Sequence, residues 1–390
     1  MKVEKQRLLY ETHAWAGACA GLFLCILCVT GTAAVYRDEI RVWASPELWP
    51  LESASASRSG PTSADRALLT FSRRYDLTEQ RLFALRLPGP DAPACELLIP
   101  AGGRPGVTRA FTDPITGVYL GEAHSELGDF LFQLHSNFSF ASKIGRYFVG
   151  AAGLALLLLV TTGILIHTSL WRTRVGIRWS AKRRVVLSDW HKALGKWALP
   201  FHAVIAFTGT FLALKDLLIL VPAAAAHGGN LGAARAALAE PLAVRTGASA
   251  EMASVDLMLA RAKRHVPGFE PTLVVFQAWE DDAARVEVGG SLPGHLLPKN
   301  EAVRVTFDAK TGTPTRVERG TDHGAWRRIF HAMTPLHYGD YGGRPLRLLY
   351  FLLGIAGTAL VWTGLMMWAE RTKRPTRGLT RPSNRSTHRS

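Results

Sequence analysis

The chain has 390 residues, 48% of them hydrophobic, and a formal net charge of +15. In a soluble protein that charge would suit nucleic acid, but here the excess lies in short segments beside four apolar blocks. It therefore marks membrane topology and excludes nucleic acid as the expected partner. Of the four cysteines, Cys19, Cys25 and Cys28 sit inside the first apolar block and Cys95 stands alone, which excludes a disulfide framework.

Residues 1–36 hold a basic leader (Lys2, Lys5, Arg7) and the apolar block Ala14 to Tyr36. That block is about as long as the roughly 20 residues that cross a bilayer. Thr32-Ala33-Ala34 loosely fits a cleavage site, but the run is long for a signal peptide, so a retained span is expected. Cys25 and Cys28 have CxxC spacing, yet in lipid nothing lowers their thiol pKa, and they read as small apolar residues.

Residues 37–145 read as a small α+β module outside the membrane. Trp43 and Trp49 suit a membrane interface. Leu51 to Ser63 is a Ser/Ala/Gly/Pro-rich linker. Helical spacing follows at Ala64 to Tyr75, then strand-like runs at Leu82 to Leu87, Glu96 to Ile99 and Thr108 to Phe111. Asp113-Pro-Ile-Thr-Gly117 carries hairpin-turn chemistry, with Asp and Pro opening the turn and Gly closing it.

Residues 146–170 form a second span (apolar Tyr147 to His167), 171–196 a basic loop and 197–221 a third span (apolar Trp197 to Leu214). Residues 222–345 repeat the module. After the Ala/Gly-rich stretch Pro222 to Gly247, a surface helix or a linker, come helical spacing at Met252 to His265 and strand-like runs at Thr272 to Gln277, Arg285 to Val288 and Ala302 to Phe307. Asp308-Ala-Lys-Thr-Gly312 is the matching turn. Residues 346–369 are a fourth span (apolar Leu348 to Trp368), and 370–390 a basic tail that reads as disordered.

The stretch from His13 to Asp38 (HAWAGACAGLFLCILCVTGTAAVYRD) aligns without a gap on His191 to Asp216 (HKALGKWALPFHAVIAFTGTFLALKD). A looser pair of phrases is Leu134-His135, Gly145-Arg146, Gly153, Thr162-Gly163 and Leu336-His337, Gly343-Arg344, Gly357, Thr363-Gly364. A repeat of this length resets the reading of the fold. The expected fold is membrane α-helical: four transmembrane helices as two tandem span-module-span repeats, with two small extracytoplasmic α+β modules. The positive-inside rule puts leader, loop and tail in the cytoplasm.

Ionisable groups in membrane spans are costly and call for a functional reading. His13, His135, His167, His191, His202, His331 and His337 lie at the spans or their edges. Along one continuous helix His135 and His167 would be about 48 Å apart, hence on opposite membrane faces. His191 and His202 are eleven residues apart and would share one face of a straight helix. Inward histidines at two levels of a four-helix bundle suit b-type haem. Zinc or copper also suit imidazole, but the spans lack the close spacing of a structural zinc site. His13 could pair with His191, or His167 with His202. Taken alone, His331 reads as a polar anchor. His124, His227, His265, His295, His323 and His388 read as solvated loop residues.

The phrases HxWxG…TG…RDE, LH…GR…G…TG, DWHKxLGKWALPFH and LHYGxYGGRPLRLLYFLLG resemble the PepSY-associated transmembrane family over nearly the whole chain. The segments ending DPITG and DAKTG resemble its PepSY domains, with Ala309 in place of the turn proline. Within that family, length and plan are similar to inner-membrane ferrisiderophore reductases. The resemblance implies a bacterial inner-membrane protein with two b haems, whose ligand candidates here are His13, His135, His191, His202 and His337. It implies electron transfer to a ferric chelate (a ferrisiderophore) in the periplasm, with release of Fe(II).

On this reading an inner haem lies near His13, His167, His191 and His202, and an outer haem near His135 and His337. Arg146 and Arg344 are candidate partners of haem propionates or anionic chelates, or else snorkel to the interface. The chain shows no GxGxxG and no nucleotide loop, so a cytoplasmic reductase, a flavin or a quinol is the expected electron donor. Rival readings are a non-redox PepSY anchor or regulatory protein, and a transporter. Spans poor in mid-membrane polar residues count against the transporter.

Overall fold

A computed structural model describes residues 3–49, 60–89, 92–100, 107–122, 126–140, 143–167, 175–218, 220–233, 242–294, 296–298 and 302–372. Most of the expected 51–63 linker, part of the 222–247 stretch and nearly all of the expected disordered tail lie outside the described residues.

Among the described residues four helices are long and apolar enough to cross a membrane: Val3–Ala34, Lys143–Ile166, Leu199–Ala225 and Gly343–Arg371, with mean hydropathies of 1.9, 2.4, 2.0 and 1.8. Within each apolar window only 17–25% of residues are buried in the protein, which leaves the rest of the apolar surface for lipid. The elements run in chain order as α1 (Val3–Ala34), α2 (Arg37–Trp43), α3 (Ala64–Ser72), β1 (Leu82–Arg86), β2 (Cys95–Pro100), β3 (Val107–Thr112), β4 (Tyr119–Glu122), α4 (Glu126–Asn137) and α5 (Lys143–Ile166). They continue as α6 (Arg183–Trp197), α7 (Leu199–Leu218), α8 (Leu220–Ala226), α9 (Val255–His265), β5 (Glu270–Gln277), β6 (Arg285–Ser291), β7 (Val303–Asp308), β8 (Thr313–Arg319), α10 (Ala325–Tyr338) and α11 (Gly343–Thr372). In the bundle α1 packs on α5 and α11, α7 on α5, and α6 on α11.

Small residues let these helices approach. Thr210 Oγ1 lies against Gly153, and Thr32 Oγ1 against Gly354; a Cβ on either glycine would sit 2.4 Å from that oxygen. The packing counterpart of Gly153 is therefore Gly354, and the expected match with Gly357 is corrected. Both glycines stand nine residues before a Thr-Gly (Thr162-Gly163 and Thr363-Gly364). Two straight-helix expectations also fail. The helix α4 ends at Asn137 and residues 138–140 are not helical, so His135 and His167 do not share a helix. Between His191 and His202 the chain leaves helix at Ala198, just ahead of Pro200 in the first turn of α7.

The two expected modules meet in one eight-stranded antiparallel sheet, ordered β4-β3-β2-β1-β5-β6-β7-β8. Each stretch supplies four strands, and β4 and β8 were not anticipated. Because the sheet is continuous, both stretches lie on one side of the bundle. The joint is the β1–β5 pairing, which sets Phe83 opposite Phe276. Their rings stack at 4.7 Å and Trp279 packs edge-on to both. One face of the sheet is covered by α3 and α9 through Phe71, Leu68, Met258 and Val255.

These two helices cap each other. Asp256 accepts from Ser63 Oγ (2.6 Å) and the Ala64 N–H (2.7 Å), while Asp65 accepts from Ser254 Oγ (2.5 Å) and the Val255 N–H (2.7 Å). Each carboxylate thus satisfies orphan donors at the start of the other helix, where the dipole favours negative charge. The two turn motifs form as expected. Asp113 accepts from the backbone N–H of Ile115 and Thr116, Asp308 from Lys310 and Thr311, and Gly117 and Gly312 take the positive φ (74° and 61°) that a side chain would resist.

D65A or D256A is expected to cost about 1–2 kcal/mol each, the range of lost N-caps. The double variant should be sub-additive because both losses open the same joint, read by urea unfolding through intrinsic tryptophan fluorescence. Asp281 accepts from the Thr246, Ala283 and Gly247 N–H groups, which hold its carboxyl well below the usual carboxylate range. Its stabilisation is complete above the ordinary carboxylate pKa of about 4 and is lost as pH falls toward the folded value. Acid unfolding of D281N should accordingly depend less steeply on pH than that of the wild type.

Candidate haem centres

Four histidines are held in one way. The Thr162 hydroxyl donates its proton to Leu158 O (2.7 Å), so its oxygen is left to accept from His13 Nδ1–H at 2.8 Å. Thr208 donates to Val204 O (2.7 Å) and accepts from His337 Nδ1–H at 3.0 Å. Thr30 donates to Ile26 O (2.7 Å), and His135 Nδ1 donates to Leu27 O at 3.0 Å with Thr30 Oγ1 at 3.5 Å. His191 Nδ1 donates to Leu360 O at 3.0 Å and lies 3.2 Å from Thr363 Oγ1, which itself donates to Leu360 O. A hydroxyl has one proton, and a helical threonine spends it on the preceding turn. The imidazole must therefore be the donor at Nδ1, which leaves the lone pair on Nε2, the nitrogen then ready for a metal.

Each ring lies over the glycine that follows such a threonine. A Cβ on Gly31 would come within 2.6 Å of His135 Cε1, and one on Gly209 within 2.9 Å of His337 Cε1. On Gly163 and Gly364 the same atom would lie 3.6 Å and 3.2 Å from His13 and His191 Cε1. The Thr-Gly pairs that close the apolar runs are imidazole cradles.

The rings meet in two pairs. His13 and His191 have centroids 6.3 Å apart with planes at 84°, and His135 and His337 are 6.0 Å apart at 29°. Two metal–nitrogen bonds of about 2 Å each, plus the two ring radii, account for a separation of about 6 Å. Each separation therefore suits two imidazoles that would hold one iron between them. Eighteen residues of α1 separate His13 from Gly31, so the pairs stand about 27 Å apart along the bundle.

His202 is not part of either pair. It is buried in α7, its Nε2 has no partner, and a Cβ on Gly357 would lie 3.2 Å from that nitrogen. His167 ends α5, its N–H donating to Gly163 O. Among the described residues no ring contact joins it to His202. Arg146 forms an ion pair with Asp216 (3.1 Å). The counterpart of Arg146 is Arg347, buried and bonded to Glu39 (2.6 Å) and Val35 O, whereas Arg344 is exposed at the start of α11; the expected match of Arg146 with Arg344 is corrected.

Sequence reasoning missed what holds the sheet-side pair in place. Asp129, on the helix that bears His135, contacts Arg37 (2.5 Å), Arg41 (3.5 Å) and Arg109 (3.5 Å). Glu96, 2% exposed, contacts Arg109 (2.6 Å), Arg86 (3.2 Å) and Arg41 (3.8 Å). Against the opposing effect of burial, Arg37, Arg109 and Arg41 hold the Asp129 carboxyl below its ordinary range. This cluster ties α4 to the sheet. The only signal for it was a scatter of arginines on separate elements, which no short motif records. His337 is placed otherwise, by Tyr350 Oη donating to Leu336 O (2.7 Å) and a left-handed turn at Gly339.

Comparison with known proteins bears on the family alone. An uncharacterized protein of Pseudomonas aeruginosa is 30% identical over 254 residues, a region covering 62% of this chain and 63% of that protein's length. The pattern of the PepSY-associated TM region matches residues 10–371. Four membrane-length helices, the Thr-Gly cradles and that near-complete match together make this chain a multi-pass membrane protein of the PepSY-associated TM family.

Proposed function

We propose that this protein is a b-type haem protein of the bacterial inner membrane that passes electrons across the membrane to a ferric chelate in the periplasm, so that Fe(II) is released. The observation that carries the reading is the pair of facing imidazole couples at opposite ends of one bundle, each with Nε2 left as the acceptor nitrogen. His13 and His191 would hold one iron porphyrin and His135 and His337 a second, supplying one-electron chemistry at two depths. A donor at the loop side, whether a reductase, a flavin or a quinol, would serve the first pair. The sheet lies beside the second, where the chelate would be bound.

The chain's own residues have distinct tasks in this scheme. Thr162, Thr208 and the Leu27 and Leu360 carbonyls hold the ring protons at Nδ1. Gly31, Gly163, Gly209 and Gly364 let the rings lie close to the helix axis. Asp129 and its arginines fix the helix that carries His135. The span-module-span plan, written twice, gives each half one histidine of each couple. The basic leader, loop and tail would lie in the cytoplasm, and the sheet in the periplasm.

A pyridine haemochrome assay on protein from haem-sufficient cells should give two haems per chain. H191A and H337A should each remove about half of the haem, from different centres. G31A should also lose haem, because its new methyl collides with His135, while G163A, with 3.6 Å of space, should stay near wild type. Colourless wild-type protein would overturn the redox reading in favour of a PepSY anchor. Unchanged haem in both histidine variants would overturn the ligand assignment.

A further inference from the structure

A third imidazole couple lies outside the spans, and the function proposed above leaves it unused. His323 follows the short turn Gly320–Asp322 and precedes Gly324, which caps α10. Its extended backbone (φ −69°, ψ 146°) lets the ring fold back over the second turn of α10. There it meets His331, with centroids 5.6 Å apart and planes at 30°. His323 Nδ1 is buried and has no hydrogen-bond partner, a costly state for a polar atom unless a ligand fills it. Phe330 packs edge-on to Phe211 of α7 at 5.0 Å, which fixes the turn of α10 that carries His331. Read singly, one histidine looked like an anchor and the other like a loop residue; the fold brings them together.

We propose that His323 and His331 form an open binding site for a first-row divalent transition-metal ion, beside the sheet-side histidine couple. Imidazole nitrogen suits such ions, and two rings at this separation can both reach one ion through bonds of about 2 Å. Among the described residues no group of three or more His, Cys, Asp or Glu gathers. The remaining coordination positions thus fall to water or to donor atoms of an incoming chelate, as in an exchange site and unlike a closed structural one.

The surroundings point the same way. Burial, then the charges of Arg327 and His331, press the His323 ring toward its neutral, ligating form, while Glu318 acts with the opposite sign. Arg327 and Arg304 would also weaken the hold on a dication, which suits transfer better than storage. His331 precedes His337 by six residues, about 9 Å along α10. An ion freed near the sheet-side couple would meet this site less than two helical turns away along α10. That the physiological ion is Fe(II) rests on the proposed reductase function; the metal site itself does not.

The test is calorimetric titration of the untagged full-length protein in detergent with Zn(II). Wild type should show a saturable site of one ion per chain. H323Q and H331Q should each weaken it by about tenfold or more, with haem per chain and melting temperature unchanged. H323A and H331A repeat the measurement with smaller side chains. No saturable binding, or wild-type affinity in both single variants, would overturn the proposal. A colourless preparation whose zinc site still depends on His323 sinks the redox function and leaves the metal site standing. A red preparation without a zinc site does the reverse.

Discussion

A buried imidazole next to a helical threonine has little freedom. The threonine hydroxyl has already given its proton to the carbonyl one turn back, so it can only accept. The ring must donate from Nδ1, and its lone pair then sits on Nε2. In lipid, where no water repairs a wrong tautomer, leaving that donor unmet would cost on the order of 1–3 kcal/mol. The small residue after each threonine completes the constraint by letting the ring lie against the helix backbone. At His135 and His191 a backbone carbonyl of the same turn, Leu27 O and Leu360 O, is the closer acceptor and imposes the same tautomer.

The sheet supplies what the bundle cannot. The helices α4 and α10 carry His135 and His337 but are short and amphipathic, so neither is fixed by lipid alone. The first is anchored by an ionic cluster of buried and half-buried guanidinium and carboxylate groups, and the second by a tyrosine hydrogen bond and an aromatic contact with α7. Such clusters leave charge in a poorly hydrated place, and they hold only where partners surround every member. The joint between β1 and β5 and the crossed caps of Asp65 and Asp256 bind the halves rigidly, so the two sheet-side rings are set against one frame.

The halves share their cradles, turns and caps but differ at single positions. His202, buried in α7, has Leu24 at the equivalent place in α1. Six residues before His135 stands Asp129, and six before His337 stands His331. The first position feeds an ionic clamp and the second a histidine couple. One scaffold thus carries different chemistry on its two sides.

The sequence alone determined the four spans, the family resemblance and the two turn motifs, and it drew attention to His13, His135, His191 and His337, because hydrophobic length and Thr-Gly or Asp-Gly punctuation are local signals. It also held both lengths of the bundle, since His13 and His191 each precede their glycine by eighteen residues. It did not reveal that two modules share one sheet, because strand pairing across β1 and β5 joins residues almost two hundred positions apart. Nor could it choose between His13 with His191 and His167 with His202 as facing couples, since that depends on helix rotation and on the break at Ala198. The match of Arg146 with Arg347, the arginine cluster and the meeting of His323 with His331 were likewise settled by tertiary structure. Each is a contact between distant elements, and such contacts leave no periodic trace in the chain.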